Sequence, residues 1–488
     1  MPSPRRSPAQ ALHVAALAAA LGAALPACAA RRAPAAPATV AAVAAVAAVA
    51  ATRAPADEPL APAMALAAFD TAWTRIRDAH YDAAMRGVDW PAVRSELRPR
   101  AEQARTLAEL RLVIRDMLGR LGESHFVIIP SEAVDAVAID TTADDSADTA
   151  PGDVGVTLRL VGGALLVARV DSGSPAAAAG VRPGWAVDSV ATFSTRTLAA
   201  ALGSLTTAAE RREALIRFPR LVERLLEGPA GSTARVTFRD AADARVTRDL
   251  VRRATPGEPV RFGNLPVLLA LVHHERRPIT GGGCVGVIRF NIWMTPLLPA
   301  IDRAVDAVRD CQGIVLDLRG NPGGVGGMVM GVGGHFFDET TPLGVMKTRR
   351  GEVRFVANPR RVDTDGRATS PYAGPVAIVV DPRSVSTSEI FAAGMQTVGR
   401  ARIFGDTTAG QALPAQAGRL PTGDVLMHVV ADFTAPDGRR IEGRGVVPDE
   451  LVPLTRDALL AGRDAPLDAA VAWLRPRSRP REPLTARP

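Results

Sequence analysis

One stretch constrains the fold more than any other: VAIVVDPRSVSTSEIFAAGMQTVGRARIFGDTTAG, from Val376 to Gly410. Its β-branched run, Val376 to Val380, predicts a buried strand. An Asp-Pro turn follows, then three alternating serines, Ser384, Ser386 and Ser388. Glu389 to Val398 has a helical pattern that Gly399 stops, and a second apolar run, Ala401 to Phe404, ends at Gly405-Asp406. Strand, serine turn, helix and strand make a βαβ unit. The serines then sit at the mouth of a helix, where backbone N–H groups and the dipole favour negative charge. Such a corner suits a tetrahedral oxyanion. It equally suits a plain helix cap, for which serine is a preferred residue. From this stretch alone there is no way to choose among the three hydroxyls.

With 488 residues, 47% of them hydrophobic and 22% charged, the chain has material for about two to four domains with buried cores. The net charge of +7 is carried almost wholly by scattered arginines; Lys347 is the one lysine. Aromatics make up 4% of the chain. That pattern lacks the clustered cations and stacking platforms of a nucleic-acid surface. At the N-terminus, Arg5 and Arg6 precede an apolar run from Ala11 to Leu25, too short and Ala-rich for a membrane span. The run ends Leu25-Pro26-Ala27-Cys28, which resembles a bacterial lipoprotein box with Cys28 as the lipidated residue; Ala27-Cys28-Ala29 also fits ordinary signal cleavage. Both readings predict export, and the first adds an outer-membrane lipid anchor. Export permits disulfides. Cys284 and Cys311 each open an apolar run, so a Cys284–Cys311 bridge between adjacent parallel strands and two buried free thiols both stand as expectations.

In chain order, an Ala/Pro-rich tether comes before a helical region with Phe69, Trp73, Ile76 and His80 at helical spacing. Asp89-Trp90-Pro91 starts another helix, and Leu107 to Leu121 a third, which Gly122 stops. Ser124-His125 then lies at the lip of an apolar strand. From Val154 the pattern changes to short alternating strands that enclose GSPAAAAGVRPGW. The pair His273-His274 has no second cluster at ligand spacing, so no metal is expected there and no cofactor anywhere. From Cys284 an α/β pattern begins, and the strand Ile314 to Leu318 runs into Arg319-Gly320-Asn321-Pro322-Gly323-Gly324. Those glycines lack the ending of a phosphate-binding loop. They let a backbone N–H approach a ligand closely.

Taken together, these motifs resemble the tail-specific, or C-terminal-processing, serine peptidases (family S41). The resemblance rests on Ile314 to Gly324 as the glycine motif, Ser384 to Glu389 as the nucleophile motif, Gly443 to Asp449 as the closing motif, and a PDZ-like segment, all in the family's order. It implies an α/β fold with a ClpP/crotonase-like catalytic domain, an N-terminal helical domain and an inserted PDZ-like β domain. The boundaries that follow are a signal over 1–28, a linker over 29–60, helices over 61–130, the PDZ-like domain over 150–253, the peptidase domain over 256–475 and a disordered tail over 476–488.

By the same resemblance Ser386 is the nucleophile. The Ser-Lys branch of the family would need a lysine where this chain has Gln411. The other branch, which includes the tricorn core protease, uses a Ser-His-Ser-Glu tetrad, and Ser124, His125 and Glu442 match it position by position. The chemistry agrees: a serine hydroxyl needs a base within hydrogen-bond reach, which His125 can be, and an oriented acid can hold the imidazole. Backbone N–H groups of Gly323 or Gly324 and of Thr387 are expected to form the oxyanion hole, with Gln411 against the substrate or the serine. The expected function is a serine endopeptidase acting on exported or envelope proteins in a bacterial periplasm, near their C-termini if the PDZ-like domain captures them. The rival class is an inactive peptide- or small-ligand-binding homologue of the same fold.

Overall fold

The computed structural model describes residues 59–132, 150–261, 263 and 267–475. The expected signal, Cys28, nearly all of the linker and the tail over 476–488 lie outside them.

Helices Pro62–Ala79, Trp90–Gln103 and Leu107–Gly119 form the N-terminal unit. Phe69, Trp73, Ile76, Trp90, Leu97, Leu110, Ile114 and Met117 interdigitate in its core. Side chains satisfy the first-turn N–H groups: Asp89 accepts from Ala92 N, and Thr106 from Glu109 N. Trp73 and Trp90 stack with centroids 6.4 Å apart, and each indole N–H donates to the other's carbonyl. This unit is joined to the rest. Leu420 and Leu426 belong to the same core, and strand Val127–Ile129 pairs antiparallel with Val425–Val429. Arg111 donates to buried Asp424 and to Glu132 across that seam. The strand pairing fixes where the preceding residues, Ser124 and His125, emerge.

Residues 150–254 form a second unit around a six-stranded antiparallel sheet ordered Val156–Val161, Ala164–Val170, Ala186–Val190, Thr233–Arg239, Arg245–Val251, with Phe193–Ser194 beside the third. Its long helix, Ala208–Leu226, had no counterpart in the sequence reading. It opens with a capping box, Thr207 and Glu210, and buries Ala214, Phe218, Val222 and Leu226.

The third unit is built on a six-stranded sheet ordered Val272–Pro278, Cys284–Phe290, Gly313–Asp317, Val376–Val380, Ala401–Gly405, Glu450–Leu451. The first pair is antiparallel and the others are parallel. Both faces of its inner strands are covered, so those strands read as nearly continuous apolar runs. Val285, Val287, Val315, Ala377 and Val379 pack on helix Ala465–Leu474, while Ile314, Leu316, Ile378 and Val380 join the larger core on the opposite face. That larger core includes helices Leu298–Val308 and Thr387–Thr397. His273 and His274 are exposed on the antiparallel edge strand. Cys284 and Cys311 are joined in a disulfide with Cα atoms 4.9 Å apart, at the start of adjacent parallel strands.

Candidate active site

The chain leaves the central strand at Val380 and turns through Asp381 into helix Thr387–Thr397. Within this turn the three serines differ sharply. Ser384 is fully buried; its hydroxyl donates to Leu318 O at 2.9 Å and accepts from Asp381 N at 3.0 Å. Ser388 is fully buried too; its hydroxyl donates to Asn321 O at 3.1 Å and accepts from the Trp293 indole at 2.9 Å. Ser386 is half-buried, and with Glu389 it forms a capping box at the start of the helix, its oxygen facing the Glu389 N–H. It sits at φ 56° and ψ −117°, a strained backbone for a residue with a side chain.

That strained turn is held by Glu389, which the sequence marks only as the start of the helical pattern and the end of the nucleophile motif. Glu389 is fully buried and gathers four donors: Thr408 Oγ1 at 2.5 Å, Gly410 N at 2.7 Å, Gln411 N at 2.9 Å and Ser386 N at 3.1 Å. Burial pushes its carboxyl up to about 7, against the pull of those donors. The backbone of Gln411 completes the clamp, since its carbonyl accepts from Ser386 N at 2.9 Å. The Gln411 side chain points elsewhere: Nε2 donates to Glu213 Oε2 at 2.6 Å, on the long helix of the second unit. The contact of Gln411 with the serine is therefore made by the backbone and not by the side chain. Lys347 is exposed and pairs with Glu352 at 3.4 Å.

The glycine loop packs against the serine. A Cβ at Gly323 would lie 2.7 Å from Ser386 Cβ and 2.9 Å from Thr387 N, so no larger residue fits. The Gly323 N–H already donates to Asn321 Oδ1 at 3.0 Å, which removes it from the expected oxyanion donors. Gly324 and Thr387 remain, linked by Thr387 Oγ1 donating to Gly324 O at 2.9 Å. Thr387 opens the helix, so its N–H has no intrahelical acceptor. Beneath the loop lies buried Asp317. Burial alone would raise its pKa, but Arg289 and Arg319 outweigh that and hold it well below the carboxylate range.

Ser124, His125 and Glu442 come together. Glu442 Oε1 accepts from Ser124 N at 2.9 Å, and Oε2 accepts from the Ser124 hydroxyl at 3.0 Å and from Ala412 N at 2.8 Å. The Ser124 oxygen lies 2.7 Å from His125 Nδ1. An ionised Glu442 only accepts, so the Ser124 proton points to it and His125 Nδ1–H donates to Ser124. That leaves Nε2 with its lone pair. His125 has φ 62°, and burial lowers its pKa to about 4, so it is neutral at pH 7. Burial raises the Glu442 pKa, opposed by its N–H and hydroxyl donors and by Arg440. This group and the serine turn meet at two neighbouring residues: Gln411 O accepts from Ser386, and Ala412 N donates to Glu442.

The second unit closes over the serine turn through Arg383–Glu223 at 2.7 Å, Arg159–Asp381, Gln411–Glu213 and Arg212 Nη2 to Gly443 O at 3.0 Å. A cavity of about 360 Å³ lies between the units, lined by Gly155, Arg159, Glu223, Arg289, Arg319 and Arg383 among others.

Comparison with known proteins matches residues 284–452 to peptidase family S41 and residues 63–119 to the tricorn protease C1 domain. The carboxyl-terminal-processing peptidase 2, chloroplastic, of Arabidopsis thaliana is 25% identical over 400 residues, 79% of this chain and 68% of that protein. Tricorn protease homolog 1 of Streptomyces coelicolor is 26% identical over 417 residues, 83% of this chain and 34% of that protein. In fold, the chain is similar to the photosystem II D1 C-terminal processing protease, with a TM-score of 0.51 and 21% identity over 82% of this chain and 98% of that one. With its S41 match over residues 284–452, the chain is a serine-type peptidase, and its relatives are carboxyl-terminal-processing and tricorn-like proteases.

Proposed function

We propose that the chain is an acyl-enzyme endopeptidase in which Ser386 is the nucleophile, His125 the base, and Ser124 and Glu442 orient the imidazole. The hydrogen-bonded series Glu442–Ser124–His125 carries this reading, because it fixes the one imidazole tautomer that can take a proton at Nε2. Ser386 Oγ attacks the scissile carbonyl as its proton passes to His125. The oxyanion is met by the N–H groups of Gly324 and Thr387. The imidazolium, stabilised through Ser124 by Glu442, then returns the proton to the leaving amine, and water releases the acyl group by the reverse sequence. The Ser386–His125 hydrogen bond is expected to tighten with substrate bound.

The α/β unit is read as a ClpP/crotonase-like catalytic domain and residues 150–253 as an inserted PDZ-like domain. The cavity beside Gly155 supports capture of an extended chain end near the serine turn. Substrates are then exported or envelope proteins of a bacterial periplasm, cut near their C-termini, with Cys28 as the lipid attachment point if the anchor is made. Labelling with a fluorophosphonate probe tests the core of this reading. Wild type should label and Ser386→Ala should not; equal labelling of the two sinks it in favour of a non-catalytic binding homologue.

A further inference from the structure

Glu123 immediately precedes the Ser124–His125 pair, and Arg440 lies two residues before Glu442. Their side chains meet: Arg440 Nη2 donates to Glu123 Oε1 at 3.1 Å. Glu123 also accepts from the Tyr81 hydroxyl at 2.6 Å and lies 2.9 Å from His80 Nε2, with Arg86 at 3.7 Å. Arg440 in turn donates through Nε to Asp432 at 2.9 Å and through Nη2 to the Tyr81 oxygen at 3.0 Å. The Glu123 side chain is 7% exposed and that of Arg440 29%. His80 and Tyr81 follow the first helix, and Asp432 lies on strand Ala431–Thr434. One ion pair therefore ties three distant segments together where the two halves of the Glu442–Ser124–His125 series set out.

Two observations separate this pair from a merely structural bridge. The turn it holds contains His125 at φ 62°, a backbone that does not hold itself and must be constrained from outside. Arg440 also adds a smaller pull by charge to that of the Ser124 and Ala412 donors, which oppose the effect of burial on Glu442. That ionisation decides the tautomer. A protonated Glu442 would donate to Ser124, whose proton would turn to His125 Nδ1 and place the imidazole proton on Nε2, facing away from its use as a base.

We propose that Glu123 and Arg440 are positioning residues: their ion pair keeps the Ser124–His125 turn and the segment that carries Glu442 in register. This rests on the Ser386–His125 reading above. Around Glu442 stand the Ser124 hydroxyl, the N–H groups of Ser124 and Ala412, and Arg440. Around Arg440 stand Glu123, Asp432 and Tyr81; around Glu123 stand His80, Tyr81, Arg86 and Arg440.

The test is the pH dependence of fluorophosphonate inactivation of the full chain, with thermal melts of each variant. Arg440→Gln should slow inactivation at neutral pH and move the acid limb upward, since it removes a charge that favours the ionised Glu442. Arg440→Lys keeps the charge but not the fork, so its limb should stay in place while only part of the rate returns. Glu123→Gln should cost about tenfold in rate, as small misplacements of catalytic groups do. An unmoved limb in Arg440→Gln overturns the proposal. So does a loss in all three variants that only tracks the folded fraction. If wild type and Ser386→Ala react alike, the serine reading falls instead.

Discussion

The corner that carries Ser386 comes from one continuous stretch, Val376 to Ala412, whereas the corner that carries His125 joins residues 318 positions apart. In the first, strand, turn and helix fix the backbone, and Glu389 clamps it from inside the same stretch. In the second, Ser124 and His125 stand where a helical unit meets the α/β unit, and Glu442 reaches them across that seam. A locally built corner survives small shifts between units. A corner assembled across a seam is only as exact as the contacts that seat it, here Val127–Ile129 on Val425–Val429 and Arg111 on Asp424. Losses of activity should therefore separate by corner.

The largest loss is expected at the proposed base. His125→Ala should lower turnover by about 10⁴-fold or more while the melting temperature changes little, because triad-type residues act as a unit. Turnover within a few-fold of wild type would break the assignment of His125. Ser124→Ala should fall between the two extremes, since it removes the link to Glu442 but leaves the imidazole.

Next comes the clamp in the serine corner. Glu389→Gln replaces one acceptor oxygen with an NH₂ group facing N–H donors. On the Oε2 side these are Gln411 N and Ser386 N; on the Oε1 side Gly410 N, since the Thr408 hydroxyl can rotate. Stability should drop by about 1–3 kcal/mol, and turnover by about 10²-fold through misplacement of Ser386. Unchanged kcat with lowered stability would show that the clamp serves the fold alone.

How far each corner was legible follows from the same contrast. The βαβ stretch is a local pattern, so its strand, helix and stop at Gly399 could be read from residue order. Choosing Ser386 over Ser384 and Ser388 took the family motif rather than the local pattern; in the structure Leu318, Asn321 and Trp293 consume the other two hydroxyls. No spacing rule reports such partners. The same holds for Gly323, whose N–H is taken by Asn321, and for Gln411, whose side chain reaches Glu213. Helix Ala208–Leu226 was missed although its start is signalled locally by Thr207 and Glu210; Pro219 and the charged run around it mask the buried face. Glu123 and Arg440 carry no local signal at all. Their meaning lies in a contact between residues 317 apart.

The two corners should also respond to pH with opposite sign. His125 has a folded pKa lowered to about 4, against roughly 6.5 in an unfolded chain. Between those values the unfolded chain binds the proton better, so this contribution is present above about pH 6.5 and is lost as pH falls toward 4. Glu389 has a folded pKa raised to about 7, against an unfolded value of roughly 4.3. Here the native state binds the proton better, and its contribution is lost as pH rises from about 4.3 through 7. Each is on the order of 3 kcal/mol and they largely cancel in wild type. Urea unfolding from pH 4 to 8 should show a rising slope with pH in Glu389→Gln and a falling one in His125→Gln. Parallel profiles in all three proteins would remove both assignments.

The smallest effect on turnover should come from the far end of the sheet. Cys284 and Cys311 lie at the N-terminal ends of their strands, whereas the glycine loop and Ser386 leave the C-terminal ends, where open α/β sheets place their sites. Breaking the bridge releases a loop with a sequence separation of 27, worth about 3–4 kcal/mol in the chain-entropy account. Cys284→Ser with Cys311→Ser should therefore lower the urea midpoint while kcat/KM at 25 °C stays within about twofold, since neither corner touches the bridge. A large fall in kcat/KM of the folded double variant would mean that strain passes along the sheet into the Ser386 turn. The serine corner would then not be locally built.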